Sequence, residues 1–543
     1  MRFFPVFVAA GLIAGGAQAA TECSVTALSA LKIPGVTIAS ADTKTEGPPL
    51  CDVKGTLTTT GEGAPDGSAR FEVKLPVGWN GKFLFLGVGG LGGNLYPSVT
   101  RADLLAATTG NYATAITDTG HEGASGADGS WALARPGVAD EAKLIDYYFR
   151  AVHQVTLATR QLVEGYFGKP PARSYFDGCS NGGRQALMEA SRYPDDFDGI
   201  VAGAPFMDIK AILAGTRFYQ HLLTPSAYVP AALLPVVDKA MLASCDAADG
   251  VKDGLIQNPA KCSLDLKSLI CKPGEKDNCL NSDQAGALET CFTETRDESG
   301  RSLFPGSANT DLQGGGMNVW SVGMSAPDDI SVAEPWAKPD KSPLSWQFVD
   351  NVMKYIVTRD PDFDPRKFRF DAASLARFAE RTNAGNADRP AHFYPFISKD
   401  KKLLIFHGFG DPALAPLRTT AFYEDLTARY GYDDVHKNVR LFMAPDMQHC
   451  GGGPGPNVFD TLSALDAWVE QGQAPDAILA QHFEGNNPSR PVDRTMPLCP
   501  FPTMATYKGQ GDMARAENWS CQPNEKLGDL PHLAKGLKAG KQE

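Results

Sequence analysis

The chain has 543 residues, 43% of them hydrophobic and 21% charged. That is ordinary for a globular protein with a full core, whether two to four domains or one large α/β domain with insertions. A formal net charge of -12 argues against a nucleic-acid binder, because phosphate contacts need clustered Lys and Arg.

The chain opens with MRFFPVFVAAGLIAGGAQAA, in which Arg2 precedes an apolar run from Phe3 to Ala14 and then Ala17-Gln18-Ala19. A charged start, a short apolar stretch and an A-x-A site predict a signal peptide, residues 1–19, cut after Ala19, and hence a secreted or periplasmic protein. The run is too short to span a bilayer and no other stretch is long and apolar enough, so no membrane anchor is expected. Export makes disulfides the expected state of the eleven cysteines, and there is no CxxC pair to suggest zinc. The odd number leaves at least one thiol free or paired between chains.

Further along, Phe71 to Leu75 alternates and Lys82 to Val88 is apolar, with Gly-Trp-Asn-Gly between them. They read as neighbouring strands joined by a turn, the second entering the glycine-rich loop Gly87 to Gly93. NYATAITDTG, ending at Gly120, reads as a buried strand. From Glu141 to Phe167, apolar residues such as Leu144, Tyr148, Val152, Val155 and Leu162 recur at helical spacing. A strand at Ser174 to Asp177, the turn GCSNG, a helix from about Gly183 to Arg192 and a strand at Gly199 to Ala202 continue the alternation. It resumes with a strand at Leu403 to Phe406, a helix carrying Phe422, Leu426 and Tyr430, and a strand at Val439 to Met443. Alternation of this kind predicts a mostly parallel sheet with helices on its faces. Between Phe206 and about Asp400 the pattern breaks down, which predicts a lid domain, residues 207–400, inserted into a catalytic domain made of residues 20–206 and 401–543.

Gly178-Cys179-Ser180-Asn181-Gly182 fits the G-x-S-x-G nucleophile elbow, in the strand, turn and helix context that motif requires. A serine hydroxyl needs an imidazole base, and the imidazole needs a carboxylate to orient it. His449, in a glycine-rich loop after the last clear strand, is the first candidate base; His407 and His392 are its rivals. Asp411, in the loop after the preceding strand, is the candidate acid, with capping of the following helix as its alternative role. An oxyanion hole would use the N–H of Asn181 and that of Gly89 or Gly90.

Together, Cys179-Ser180, Asp411 and His449-Cys450 form a Cys-Ser, Asp, His-Cys pattern. With WNGKFLFLGVGG, YFDGCSNGGRQALMEASRYPDDFDGIVAGAP and CDAADGVKDGLI, this chain resembles the tannase and feruloyl esterase family over nearly its whole mature length. The resemblance implies an α/β hydrolase core with a large inserted lid and a serine esterase acting on small aromatic esters. It implies triad roles for Ser180, Asp411 and His449 and a disulfide between Cys179 and Cys450. It suggests further bridges Cys23–Cys51, Cys245–Cys262, Cys271–Cys279 and Cys499–Cys521, leaving Cys291 over.

CDAADGVKDGL offers carboxylates of Asp246, Asp249 and Asp253 and carbonyls of Val251 and Leu255, a hard-oxygen set suited to Ca2+. A solvated acidic turn is the alternative, and the resemblance favours a structural calcium in the lid. A feruloyl or related hydroxycinnamoyl ester is the first expected substrate; a galloyl ester or a terephthalate monoester is the second. Trp320, Trp336, Trp346, Phe348 and Tyr355 are the lid aromatics available for stacking, unless they belong to the core. A terephthalate monoester would need a cation for its free carboxylate, such as Arg359. A non-catalytic secreted binding protein on a hydrolase scaffold is disfavoured because every triad position is filled.

Overall fold

Parallel strands covered by helices on both faces must be apolar throughout, and KFLFL, GIVAG and KLLIF meet that requirement. In the computed structural model, which describes residues 21–259, 262–308, 310, 312 and 316–523, these segments form the centre of a nine-stranded sheet. The expected signal peptide lies outside the described residues. The strands are β1 (Val36–Lys44), β2 (Leu50–Thr59), β3 (Gly67–Pro76), β4 (Lys82–Leu86), β5 (Ala113–Thr117), β6 (Arg173–Cys179), β7 (Gly199–Gly203), β8 (Lys402–Gly408) and β9 (Val439–Ala444). Their order across the sheet is β1-β2-β3-β5-β4-β6-β7-β8-β9. From β1 to β5 neighbouring strands pair antiparallel; from β5 through β4 to β9 they pair parallel.

Successive side chains enter different layers, as the two-residue period of a strand requires. Phe83, Phe85, Phe176 and Ile200 pack into one core layer, and Leu84, Leu86, Tyr175 and Val201 into the other.

The structure corrects one pairing. β3 and β4 are not neighbours, because β5 lies between them, antiparallel to β3 and parallel to β4. The short link between β3 and β4 is therefore not a hairpin turn. Between Gly203 and Lys402 the described residues add no strand to the central sheet. It contains helices Ala211–Leu222, Leu234–Cys245, Ser282–Phe292, Leu344–Asn351 and Ala372–Thr382, together with a short hairpin of Thr295–Arg296 and Ser302–Phe304.

The helical stretch 141–167 contains a π-helical segment, Asp146–Arg150, all of whose residues are buried. Arg150 Nε donates to Asp146 Oδ1 at 2.6 Å, and Thr59 Oγ1 donates to Asp146 Oδ2 at 2.8 Å. The same guanidinium donates through Nη1 to the carbonyls of Gly61 at 3.0 Å and Pro65 at 2.9 Å, fastening the β2–β3 turn to the helix. Both charged side chains are 0% exposed. Removing the arginine leaves the buried Asp146 carboxyl with Thr59 as a donor but no counter-charge. An Arg150→Met variant is expected to lose about 3–5 kcal/mol of unfolding free energy in a urea titration; an unchanged midpoint would contradict this role.

Candidate active site

The β6 strand ends in a turn that only a tightly held chain can make. Ser180 has φ 65 and ψ -123, a conformation that costs a non-glycine residue about 1–3 kcal/mol. The Ser180 N–H donates to Gly203 O at 2.9 Å, and its carbonyl accepts from Phe206 N–H at 3.0 Å. Cys179 N–H donates to Ser98 O at 2.6 Å, while Ser98 Oγ donates back to Cys179 O at 2.9 Å. Position 178 must be glycine, because a Cβ there would sit 2.6 Å from the Gly182 backbone. Helix Asn181–Arg192 starts directly after the serine, two residues earlier than its pattern suggests.

Ser180, Asp411 and His449 follow the carboxyl ends of β6, β8 and β9, the edge where open α/β sheets carry their sites. His449 Nε2 lies 2.9 Å from Ser180 Oγ, and His449 Nδ1 lies 2.7 Å from Asp411 Oδ2. Asp411 Oδ1 accepts from the N–H groups of Ala413 at 2.8 Å and Leu414 at 3.0 Å. Burial opposes the charge of Asp411, yet the imidazoles of His449 and His407 hold its carboxyl well below the usual carboxylate range. Cys179 and Cys450 are bonded, with Cα atoms 6.0 Å apart, so the residue before the serine is tied to the residue after the histidine. The other four bridges expected from the resemblance are also present, and Cys291 is unbridged.

Neither rival histidine reaches the serine's position as base. His392 is exposed on the short segment Pro390–His392. His407 is fully buried, and its Nε2 meets Asp411 Oδ2 at 3.0 Å.

Gly90, Leu91 and Asn181 line a cavity of about 140 Å³ that also contains Ser180 and His449. Gly89 does not line it and faces Ser98 instead, so Gly90 is the better placed of the two glycines. Gly90 has φ +59, and a Cβ there would lie 2.1 Å from Gly126 O. Helix starts leave their first N–H groups without helical partners, and Asn181 occupies that position.

The Asn181 side chain is held in place: its Nδ2 donates to Val88 O at 3.0 Å and its Oδ1 accepts from Arg184 Nε at 2.8 Å. Arg184 is fully buried, and burial lowers its pKa. Its Nη atoms donate to the carbonyls of Tyr147 at 2.9 Å and Tyr148 at 2.8 Å, within the π-helical segment. Sequence reasoning missed this arginine. Its only signal was a lone charge in the first half of that helix, one turn after the elbow.

The cavity wall is mainly apolar, with Phe206, Phe218, Leu414, Trp320 and Phe348 among its residues. Trp320 meets the His449 ring edge-on at 4.9 Å. Of the five aromatics singled out in the sequence, Trp320 and Phe348 line the cavity; Trp336, Trp346 and Tyr355 do not. Trp336 and Trp346 are buried against each other in the core. Arg359 is also outside it and pairs with Glu141 at 3.4 Å. Among the described residues no lysine or arginine lines the cavity. Cys291 does, and burial pushes its thiol up to about 12.

The acidic loop fits a hard cation by its donors. The Asp249 carboxyl is pushed up to about 6 by burial, with the carboxylates of Asp253 and Asp246 adding to the effect. Three carboxylates thus crowd one turn, where the nearby cation is Arg494, on Asp253 Oδ2 at 2.5 Å. The loop is also fastened towards the active site: Ile256 N–H donates to Asp446 Oδ2 at 2.6 Å, three residues before His449.

A second group of potential metal donors is formed by His153, Glu189 and Asp196. Burial and the adjacent Asp196 push Glu189 well above its ordinary range. His153 Nδ1 lies 2.6 Å from Asp196 Oδ2.

The family model for "Tannase and feruloyl esterase" matches residues 51–522. An uncharacterized esterase of Xanthomonas campestris pv. campestris is 31% identical, over 94% of this chain and 93% of that protein. A mono(2-hydroxyethyl) terephthalate hydrolase of Piscinibacter sakaiensis is 31% identical, over 87% of this chain and 85% of its own. The crystal structure of feruloyl esterase B from Aspergillus oryzae superposes with a TM-score of 0.76 at 22% identity, covering 90% of this chain and 97% of that one. The architecture is accordingly the α/β hydrolase fold.

A Cys179→Ser, Cys450→Ser double variant is expected to lose ester hydrolysis while its other four bridges still form, as counted by mass spectrometry. Full activity in that protein would show the bridge to be dispensable.

Proposed function

The chain belongs to the tannase and feruloyl esterase family of carboxylic ester hydrolases, and from that premise we propose that it is an exported serine esterase cleaving aromatic-acid esters through an acyl-enzyme. The observation that carries this reading is the unbroken hydrogen-bond chain Ser180–His449–Asp411 opening on an apolar cavity.

Ser180 Oγ attacks the ester carbonyl as its proton passes to His449 Nε2. The developing oxyanion is met by the N–H groups of Asn181 and Gly90. His449, held in its tautomer by Asp411, returns the proton to the leaving alcohol. Water then repeats the sequence on the acyl-enzyme and frees Ser180.

A hydroxycinnamoyl ester such as a feruloyl ester fits best. Trp320 and Phe348 offer faces for an aromatic acid, and a neutral ring needs no counter-ion. A terephthalate monoester, the substrate named for the Piscinibacter relative, would bring a carboxylate into a wall with no described cation. A galloyl ester remains the second reading. Export is supported by the N-terminal signal pattern and by the five disulfides. No helix among the described residues is long and apolar enough to cross a membrane.

The helical insertion acts as the lid, and a calcium ion would be held there by the carboxylates of Asp246, Asp249 and Asp253 and the carbonyls of Val251 and Leu255. It would supply the positive charge that lets these oxygens share one turn. Leu255 packs with Met496, Cys499, Ala505 and Trp519, so the loop joins the lid to two C-terminal hairpins, Ile478–Phe483 with Val492–Leu498 and Thr503–Tyr507 with Trp519–Pro523.

Ser180→Ala is expected to cut kcat on p-nitrophenyl esters by roughly a thousandfold or more; hydrolysis at the wild-type rate would sink the esterase mechanism. Side by side, methyl ferulate should be cleaved faster than methyl gallate, and both faster than mono(2-hydroxyethyl) terephthalate. Negligible rates on all three would overturn the aromatic-ester assignment. Chelation should lower Tm, added Ca2+ should restore it, and Asp249→Ala should abolish that response; a Tm indifferent to both would remove the ion from the proposal.

A further inference from the structure

Asp411 serves two histidines. Its Oδ2 receives His449 Nδ1 at 2.7 Å and His407 Nε2 at 3.0 Å. An ionised carboxylate only accepts, so both imidazoles must present N–H to that one oxygen. For His407 the arrangement is settled by its other nitrogen, which lies 2.8 Å from Thr419 Oγ1. A hydroxyl can donate there, leaving Nδ1 as acceptor and Nε2 as the protonated atom. Thr419 stands on helix Pro416–Tyr430 and is buried, as is His407.

We propose that His407 is a positioning residue for the catalytic acid: Thr419 fixes its tautomer, and its Nε2–H pins Asp411 Oδ2 where His449 Nδ1 must find it. The inference rests on the serine esterase reading above. With the two backbone donors on Oδ1, the carboxylate has four hydrogen bonds and no rotational freedom. His407 comes from β8 itself, one residue before that strand ends at Gly408, so it refers the acid back to the sheet. It does not line the cavity and therefore has no direct hold on substrate.

The polar and titratable groups meeting this centre are few. His407 comes from β8, His449 from the loop after β9, and Ser180 lies beyond His449. Asp446, the nearest acid on the His449 loop, accepts from Ile256 N–H. Removing the His407 donor leaves Asp411 a stronger acceptor towards protonated His449 and less well aimed. The acid limb of kcat/KM should then move to higher pH while kcat falls.

The test compares His407→Leu, His407→Gln and Thr419→Val by kinetics and by the downfield proton NMR signal of His449 Nδ1–H. Glutamine can place an amide N–H near the position of Nε2. His407→Leu should lower kcat about tenfold to a hundredfold with KM unchanged, as expected for loss of a hydrogen bond to a charged group. Its acid limb should rise by about half a pH unit or more, and the downfield signal should shift or broaden. His407→Gln should restore most of kcat and the wild-type limb. Thr419→Val, which keeps the side-chain volume, should show a weaker form of the leucine phenotype, and it carries the test if the leucine protein does not fold. Wild-type kcat, pH profile and NMR signal in His407→Leu, or in Thr419→Val where that variant stands in, overturn the proposal. Equal losses in the leucine and glutamine proteins do so too, because they would mean packing alone. An inactive wild type would fail the esterase reading, whereas the NMR comparison would still judge His407.

Discussion

The distance between Ser180 Oγ and His449 Nε2 governs everything else in the molecule. The two residues follow strands β6 and β9, and β7 and β8 stand between those strands, a separation of roughly 14 Å across the sheet. Loops alone would have to close that gap and hold it. Here the closure is covalent, through Cys179 and Cys450, and it acts on a serine already held in a left-handed turn by Gly203, Ser98 and Phe206. Strain at the elbow and the bridge beside it work together: the turn aims the hydroxyl, and the bridge sets how far away His449 can be.

Several buried polar contacts serve that same geometry from further out. Arg184 links the Asn181 side chain to the π-helical turn of Tyr147 and Tyr148. That turn also holds the Arg150–Asp146 pair that fixes the antiparallel edge of the sheet. From the other side, the acidic loop reaches the His449 loop through Ile256 and Asp446. The catalytic edge is thus gripped from the N-terminal strands, the insertion and the C-terminal half at once.

Residues whose role depends on their chemistry were legible in the sequence. The elbow, Asp411 and His449 are identified by residue type and spacing, and so are the fully buried central strands, whereas the pairing of Cys179 with Cys450 followed from the family resemblance. What depends on long-range placement was not. Strand β1 has one buried position, Ile38, so no alternation marks it. The intervention of β5 between β3 and β4 is a pairing choice that no local pattern encodes. The choice between Gly89 and Gly90 turns on backbone direction, and the tie from His407 to Asp411 turns on a four-residue reach after a strand end. Trp336 and Trp346 look like substrate platforms in a list of aromatics, but they fill the core.

The bridge joins residues 271 apart, with the whole helical insertion between them. A ribosome finishing the elbow has therefore made Ser180 without its partner His449, and it stays so until the chain has passed residue 450 and folded back across β7 and β8. Any truncated product ending within the insertion carries the elbow alone. Completeness of synthesis is thereby written into the centre, because a partial chain lacks the Ser180–His449 contact.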